Sequence, residues 1–293
     1  MSFSSDVKKE LGKINNLANK DQVKYELLGY LISYNTKVIN SKYIRFATES
    51  DYNINRFSKL LDNLKIEHNI EIEGNLFVIN FKTIKMPEIS IVNSSIILNE
   101  EIMKLIENDD LKKALIRGAF MGSGSINNPE SNYHLEIILL EHSNMCFLKN
   151  LLEELQVKVK ILEKENKYSI YIKESEEISK ILALMGANKG VLKFEEVRVT
   201  KDMRSKVNRL VNCETANLTK TINAAVEQIE AIKKLKEQGR FGKLNEDLKE
   251  IANLRLENPD SSYEELGEKL KKPLGKSGVN YRLKKIIEIS KEN

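Results

Sequence analysis

The first two thirds of the chain repeat one order of elements, and this repeat limits the fold more than any other feature. Within residues 21–190, helical periodicity, two short alternating segments, a capped helix and a hairpin signal occur twice. Landmarks lie about 90 residues apart in the two copies: Gly29 and Gly118, the helix caps Ser50 and Ser143, and Asn75 and Asn166. Each half reads αββαββα. The pattern predicts an α+β protein in which two halves form one saddle-shaped domain.

Beyond Gly190 the strand signals stop and the remaining pattern is helical. We expect a basic helix from Lys201 to Val211, an interruption at residues 212–215, and a second helix that ends near Gly239. The chain then divides into four predicted parts: an N-terminal helix (1–20), the duplicated domain (21–190), a helical linker (191–243) and an all-α domain (244–293).

Residues 244–293 are expected to form three helices, because Pro259 and Pro273 each end a helical pattern. Asp260 or Ser261 is the expected cap of the middle helix. In the last helix, apolar and polar side chains separate at helical spacing. The inner face comprises Val279, Leu283, Ile286 and Ser290, and the outer face comprises Ser277, Tyr281, Lys284 and Glu288. Two short helices joined by a tight turn predict a helix-turn-helix.

Positive charge is concentrated at the C-terminal end. Residues 1–200 hold 27 basic and 28 acidic side chains, whereas residues 201–293 hold 20 basic and 15 acidic ones. From Lys269 to Lys285 there are seven basic residues and no acidic one. A polyanion is therefore expected to bind the C-terminal third of the chain.

Several other classes of protein are not indicated by the sequence. The chain starts without the apolar segment of a signal peptide and has no run of about 18 apolar residues, the length that spans a bilayer. Cys146 and Cys213 fit no zinc spacing and are expected to be reduced thiols. The three histidines show no ligand spacing either. We expect a cytoplasmic protein without a metal or other cofactor.

Three segments have a distinctive sequence: ALIRGAFMGSGSI (114–126), RSKVNRLVNCETANLTKTINAAVEQI (204–229) and SYEELGEKLKKPLGKSGVNYRLKKI (262–286). They resemble the WhiA family of bacterial sporulation and cell-division regulators, and the similarity covers nearly the whole chain. The family joins a LAGLIDADG homing-endonuclease-like domain to a C-terminal helix-turn-helix similar to that of sigma factors. The resemblance implies a transcription regulator linked to cell division, chromosome segregation and, in spore formers, sporulation.

The acidic residues of an active endonuclease of this fold are missing. In such enzymes each of two paired helices ends in an acid, and the two acids hold the divalent metals that activate water. Alignment on the glycines places Tyr34 and Ser123 at these positions. A phenol and a hydroxyl supply little of the anionic oxygen that magnesium needs. We therefore expect no catalytic residues, and Gly29 and Gly118 are expected to let the two helices approach closely.

The roles of the helix-turn-helix residues follow from the chemistry of double-stranded DNA. Asn280 is a candidate partner for adenine, Arg282 or Lys284 for guanine, and Ser277 for a base edge or a phosphate. The outer-face Tyr281 belongs to the same candidate surface. The remaining lysines are expected to contact phosphates, which position a protein without specifying sequence: Lys271, Lys272, Lys276 and Lys285.

Several alternatives remain open. The protein could be an active LAGLIDADG-type nuclease with unrecognised acids, or a nucleoid-associated protein that binds DNA without regulating promoters. Arg282 could form a structural ion pair instead of a base contact. The basic helix with Arg204, Lys206 and Arg209 could contact phosphates or only brace the linker. The saddle could bind DNA, a ligand or a protein partner.

Overall fold

The computed structural model describes residues 2–99, 101, 106–165 and 167–292. The chain divides after Lys201 into two compact units. The first unit contains both predicted halves of the repeat, and the second is helical. The part boundaries predicted from the sequence remain predictions, since a division by compactness does not fix where a linker starts.

The first half of the repeat follows a short N-terminal helix, α1 (Phe3–Leu11). Its elements are α2 (Lys20–Leu31), β1 (Thr36–Ile39), β2 (Tyr43–Thr48), α3 (Asp51–Asn63), β3 (His68–Glu73) and β4 (Leu76–Lys82). The strands form a four-stranded antiparallel sheet in the order β1-β2-β4-β3. Ser50 Oγ accepts a hydrogen bond from the Asn53 N–H at 3.2 Å, so Ser50 caps α3 as predicted.

A hairpin that the sequence analysis did not predict separates the halves. It consists of β5 (Ile89–Val92) and β6 (Ser95–Leu98). The side chain of Asn144 holds it in place, because its Oδ1 accepts the Leu98 N–H at 3.0 Å and its Nδ2 donates to the Ile96 carbonyl oxygen at 2.8 Å. Asn144 is almost completely buried, so these two bonds satisfy an amide that would otherwise be costly to bury.

The second half repeats the order of the first. Its elements are α4 (Asp109–Ser123), β7 (Gly124–Ile126), β8 (Leu135–Leu139), α5 (His142–Glu154), β9 (Lys160–Lys164), β10 (Lys167–Ile172) and α6 (Ser175–Met185). The sheet order β7-β8-β10-β9 matches that of the first half. Gly186 ends α6 with a left-handed backbone, φ 91°, which suits a glycine. The predicted αββαββ order is therefore confirmed in both halves, and the final helix is seen in the second.

One predicted cap is wrong. Ser143 lies inside the first turn of α5, because the extended residue Glu141 occupies the N-cap position and makes no side-chain capping bond. Helix α5 thus begins before Ser143, the residue whose place in the second half corresponds to that of Ser50 in the first. The predicted landmark Asn166 lies outside the described residues.

The paired helices α2 and α4 pack against each other through their glycines. A Cβ on Gly29 would lie 2.1 Å from the Leu115 carbonyl oxygen, and one on Gly118 would lie 1.9 Å from the Glu26 carbonyl oxygen. Neither distance leaves room for a methyl group. The predicted close approach is confirmed, and it puts the ends of both helices beside each other.

A buried group of charges lies along the same helix pair. Glu26 is fully buried and accepts hydrogen bonds from Arg56 at 2.8 Å and from Arg117 at 2.9 Å. Asn16 Nδ2 also donates to this carboxylate at 3.0 Å. Burial acts to raise the pKa of Glu26, but the hydrogen bonds and charges of Arg56 and Arg117 outweigh it and lower the pKa. The group connects α2, α3 and α4 through charges rather than apolar contacts.

The predicted interruption at residues 212–215 is wrong. A single helix, α7 (Asn188–Glu237), continues through them. Two threonines just beyond this stretch bond back into the helix: Thr219 Oγ1 donates to the Thr215 carbonyl oxygen at 2.9 Å, and Thr221 Oγ1 donates to the Asn217 carbonyl oxygen at 3.0 Å. These bonds satisfy both hydroxyls without ending the helix.

The C-terminal end contains three helices, as the prolines predicted. After a short 3-10 turn (Phe241–Lys243) they are α8 (Glu246–Glu257), α9 (Tyr263–Glu268) and α10 (Lys276–Lys291). Their buried side chains form one apolar core with the end of α7. The core comprises Ile232, Leu235, Leu244, Leu248, Ile251, Ala252, Leu266, Leu270, Val279, Leu283 and Ile286.

Candidate nucleic-acid interface

The middle helix of the C-terminal unit begins at a capping box. Ser262 Oγ accepts the Glu265 N–H at 3.3 Å, and a Glu265 carboxylate oxygen accepts the Ser262 N–H at 2.8 Å. Backbone and side-chain hydrogen bonds with Ser262 lower the pKa of Glu265. The prediction that Asp260 or Ser261 caps this helix is therefore wrong by one or two residues. The signal was present in the sequence as Ser262 followed three residues later by a glutamate.

The turn between α9 and α10 is closed by a glycine. The Leu274 N–H donates to the Gly267 carbonyl oxygen at 3.2 Å, and a Cβ on Gly267 would lie 2.0 Å from the Leu274 carbonyl oxygen. Only a glycine lets the turn fold this closely onto α9. The turn fixes where α10 begins, so it also positions the first residues of the candidate recognition helix.

The faces of α10 are arranged as its spacing predicted. Val279, Leu283, Ile286 and Ser290 are buried, and Ser277, Tyr281, Lys284 and Glu288 are exposed. Tyr281 has 66% of its surface exposed, which leaves an aromatic ring in solvent. Asn280, the candidate reader of adenine, is half-buried at the edge of the outer face.

The N-terminus of α10 is open. Gly275 occupies the N-cap position and provides no side-chain capping bond. The first N–H groups of a helix have no partners within the helix and carry the positive end of its dipole. Lys276 and Ser277 are exposed at the same end. This arrangement of N–H groups, a lysine and a hydroxyl is suited to a phosphate oxygen.

The candidate phosphate-binding lysines project into solvent. Lys271, Lys272, Lys276 and Lys285 are exposed, as is Lys284. Among the residues that the structure describes, none of these five side chains forms an ion pair or a hydrogen bond through its Nζ atom. Their charges are therefore not neutralised by the fold itself.

Arg282 differs from these lysines because it has a partner. Its Nη2 donates to Asp247 Oδ2 of α8 at 2.8 Å, and its side chain is 18% exposed. This is the structural ion pair that the sequence left open as an alternative. The contact of Arg282 with guanine remains a prediction, and it requires the guanidinium to leave Asp247 for the base.

Acidic side chains that were not predicted as part of the site flank the basic turn. Glu250 of α8 accepts the Lys271 N–H at 2.7 Å. Together with Asp247 and the nearby Glu246 and Glu257, it lines a groove that also contains Lys272. The acids therefore lie beside Lys271 and Lys272, whereas Lys276, Lys284 and Lys285 are not among the residues that line this groove. Three of these acids occur in the segment NEDLKE at the start of α8, but only the structure shows that this segment lies beside the turn.

The two positions that would carry nuclease acids converge on one carbonyl group. The Tyr34 N–H donates to the Ile138 carbonyl oxygen at 3.1 Å, and Ser123 Oγ donates to the same oxygen. Asn35 Nδ2 also donates to the Gly122 carbonyl oxygen at 2.8 Å. The bonds of Tyr34 and Asn35 thus join the two halves at this place, and the bond of Ser123 lies within the second half. No group of three or more His, Cys, Asp or Glu side chains that could hold a metal ion occurs in the described part of the chain.

Two family models match the chain. The WhiA LAGLIDADG-like domain matches residues 112–204, and the WhiA C-terminal HTH domain matches residues 207–290. A probable cell division protein WhiA from Clostridium botulinum (strain Hall) is 39% identical over 312 residues, which cover 100% of this chain and 98% of that protein. The chain belongs to the WhiA family.

Other WhiA proteins agree with this assignment. A probable cell division protein WhiA from Clostridium beijerinckii is 48% identical over 188 residues, 64% of this chain and 60% of that protein. The crystal structure of full-length WhiA from Thermatoga maritima matches with a TM-score of 0.61 and 29% identity, over 99% of this chain and 98% of that one. The predicted fold class, a LAGLIDADG-like domain followed by a helix-turn-helix, is confirmed. Among the described helices, none is both long and apolar enough to cross a membrane.

Proposed function

We propose that this WhiA protein is a sequence-specific DNA-binding transcription regulator. The observation that carries the proposal is the set of exposed lysines around the turn and the outer face of α10, whose charges have no partner among the described residues. Relatives are named probable cell division proteins, which supports a role in cell division. We extend this role to chromosome segregation and, in spore formers, sporulation, with the protein in the cytoplasm on promoter DNA of the nucleoid.

The residues of the helix-turn-helix divide the work between affinity and specificity. Lys271, Lys272, Lys276 and Lys285 contact phosphates, which sets the position of α10 in the major groove. Asn280 reads adenine, and Lys284 or Arg282 reads guanine. Ser277 and Tyr281 complete the surface, Ser277 through its hydroxyl and Tyr281 through its ring.

Two substitutions test this division in the full-length chain. Asn280→Ala is expected to lose about 1–3 kcal/mol of discrimination at one base pair, because a bidentate contact disappears. Lys272→Ala is expected to weaken binding to all sequences alike and to reduce the slope of log affinity against log salt by about 1. Binding is measured by fluorescence anisotropy on a selected site and on its single-base variants. Lys233→Ala removes an exposed lysine of α7 and serves as the control. Identical behaviour of the first two variants would show that the roles are wrongly assigned.

We propose further that the first unit does not cut DNA. The hydrogen bonds at these helix ends support this proposal. The Tyr34 N–H bond to the Ile138 carbonyl oxygen joins the two halves, and Ser123 Oγ donates to the same oxygen within the second half. The first unit then serves as a scaffold and as a surface for a protein partner. Incubation of purified protein with supercoiled and linear duplex and magnesium should leave both intact. Cleavage that Asp110→Asn abolishes would instead establish the nuclease alternative.

Genome-wide binding separates the regulator from an architectural protein. Discrete peaks at promoters are expected, because base contacts add specificity to the phosphate contacts. Diffuse coverage of the chromosome would favour a nucleoid-associated role. The Asn280→Ala protein provides the internal comparison, since it should lose peaks while it keeps its background binding.

A further inference from the structure

The middle of α7 exposes a row of apolar side chains. Residues 202–223 are all exposed. A helix exposed to solvent normally carries few large apolar groups on one face, but this one carries many. Eight large apolar side chains between residues 199 and 226 are about half exposed or more: Val199, Met203, Val207, Leu210, Val211, Leu218, Ile222 and Val226. At spacings of three and four residues they share one side of the helix. We call this side the α7 stripe.

The α7 stripe is symmetric about its own centre. From Val199 to Val211 an apolar residue recurs every fourth position, and the same spacing recurs from Glu214 to Val226. The midpoint lies between Asn212 and Cys213. Each apolar position at this four-residue spacing therefore has an equivalent at the same distance on the other side of the midpoint, except that Glu214 stands opposite Val211. Leu210, which lies outside this spacing, stands opposite Thr215. A two-fold interface requires such a self-complementary surface, because each residue meets a different residue of the identical partner.

We propose that the α7 stripe pairs with the stripe of a second copy of this chain, with the two helices antiparallel. In the register set by the midpoint, Val199 meets the partner's Val226, Met203 meets the partner's Ile222, and Val207 meets the partner's Leu218. A partner of unrelated sequence would not require this mirror spacing. The occupant that the spacing fits is therefore the chain itself.

The charges of the helix are compatible with this register. Four basic residues lie between positions 204 and 220, and each stands opposite an uncharged residue of the second copy. The residues at equal height along the two helices are Arg204 with Thr221, Lys206 with Thr219, Arg209 with Ala216, and Lys220 with Ser205. Arg209 and Ala216 both lie on the side of the helix away from the stripe. No two like charges are directly opposed among them, so electrostatic repulsion does not exclude the pairing.

The area and the one charged residue in the stripe indicate a weak dimer. Eight half-exposed side chains offer on the order of 600 Å² per helix, so a pair buries about 1,200 Å², the lower limit for stable interfaces. Glu214 occupies a stripe position near the two-fold axis, where it lies close to its own symmetry mate. A polar residue at such a position specifies register at a cost in affinity. The dimer is therefore expected to depend strongly on protein concentration.

Disulfide trapping tests the register directly. In a full-length chain with Cys146→Ser and Cys213→Ser, one preparation carries Val207→Cys and another carries Leu218→Cys. Mixed and oxidised with oxidised glutathione, they should give a disulfide-linked dimer. Either preparation alone should not, because equal residues are 11 positions out of register, or about 16 Å along the helices. Dimers from Val207→Cys alone would indicate parallel helices and overturn the proposal.

Cysteines at positions 207 and 218 of one chain also test the alternative in which α7 bends back on itself. A chain that carries both Val207→Cys and Leu218→Cys should form dimers linked by two disulfides. If α7 folds back on itself at residues 212–215, the same pair would close within one monomer. A product that migrates as a monomer with no free thiol would therefore contradict the proposal.

Sedimentation velocity over a concentration series measures the strength of the interface. Leu218→Glu should shift the protein to monomer at every concentration, and Ala216→Glu, on the opposite side of the helix, should leave the equilibrium unchanged. Glu214→Leu removes the central repulsion and should tighten the dimer at least tenfold. Circular dichroism confirms that each variant keeps its helix content. If both the wild-type protein and the Glu214→Leu variant stay monomeric at every concentration, the proposal is refuted.

Discussion

The two units of the molecule place their charges in opposite ways. In the first unit, Glu26, Arg56 and Arg117 are buried and neutralise one another between helices. In the second, lysines such as Lys272 and Lys284 are exposed and have no partner among the described residues. Charge that is paired inside a fold serves stability, whereas charge left unpaired on the surface remains free for a ligand. Net charge alone does not reveal this difference.

Both units nevertheless use glycine in the same way. Gly29 and Gly118 bring α2 against α4, and Gly267 brings the turn against α9. In each case backbone atoms occupy the space of a side chain. The first contact fixes the ends of the paired helices, and the second fixes the start of the candidate recognition helix. Each unit thus positions these helix ends through a close backbone contact at a glycine.

The buried charges of the first unit provide the largest expected effect. Glu26→Gln should destabilise the protein by about 3–5 kcal/mol, because two buried arginines lose their carboxylate. Urea denaturation of the first unit at pH 7 measures the loss. The exposed Glu153 of α5, which pairs with Lys149 in the same unit, supplies the control: Glu153→Gln should cost less than about 1 kcal/mol. Equal effects would mean that burial does not distinguish the two pairs.

The pH dependence of the same variant sharpens the comparison. The pKa of Glu26 is lowered in the folded protein. The stabilisation that its carboxylate adds to the free energy of unfolding is therefore complete above the ordinary glutamate pKa of about 4.3, and it is lost as the pH falls through the pKa of the folded state. The difference in unfolding free energy between wild type and Glu26→Gln should therefore be constant above about pH 5 and narrow below about pH 4.3. A difference that widens in acid would have the wrong sign for this explanation.

The glycine contact provides the next largest effect. Gly29→Ala should destabilise the first unit by about 1–3 kcal/mol, since the added methyl group forces backbone apart and outweighs the better helix propensity of alanine. Chemical denaturation measures the change. Gly12→Ala, in the same unit, is the control, because its φ is −63° and a Cβ placed there would lie at an ordinary contact distance, 3.4 Å, from its nearest neighbour. A stabilised Gly29→Ala protein would show that α2 and α4 are not held as closely as described.

The order of elements could be predicted because each half repeats the pattern of the other, so a weak signal in one half was supported by its equivalent. The exposed faces of α10 could be predicted because helical spacing alone decides them.

The buried cluster around Glu26 could not be predicted, since its members are 30 and 61 residues apart in the chain and each looks like a surface charge. The continuity of α7 was missed because Asn212 and Thr215 are poor helix formers in isolation. The hydroxyl of Thr219, bonded within the helix, becomes visible only in the structure.

The smallest expected effect concerns the free lysines of the second unit. The double variant Lys284→Gln and Lys285→Gln should change the free energy of unfolding by less than about 0.5 kcal/mol, because neither side chain loses a partner within the described ranges of the chain. Its affinity for DNA should nevertheless fall, with a shallower salt dependence, since two cations that can meet phosphates or bases are gone. Thermal unfolding and anisotropy titrations on the same preparation separate the two quantities. If stability fell together with affinity, these lysines would be part of the fold, and the contrast between paired and free charge in the two units would not hold.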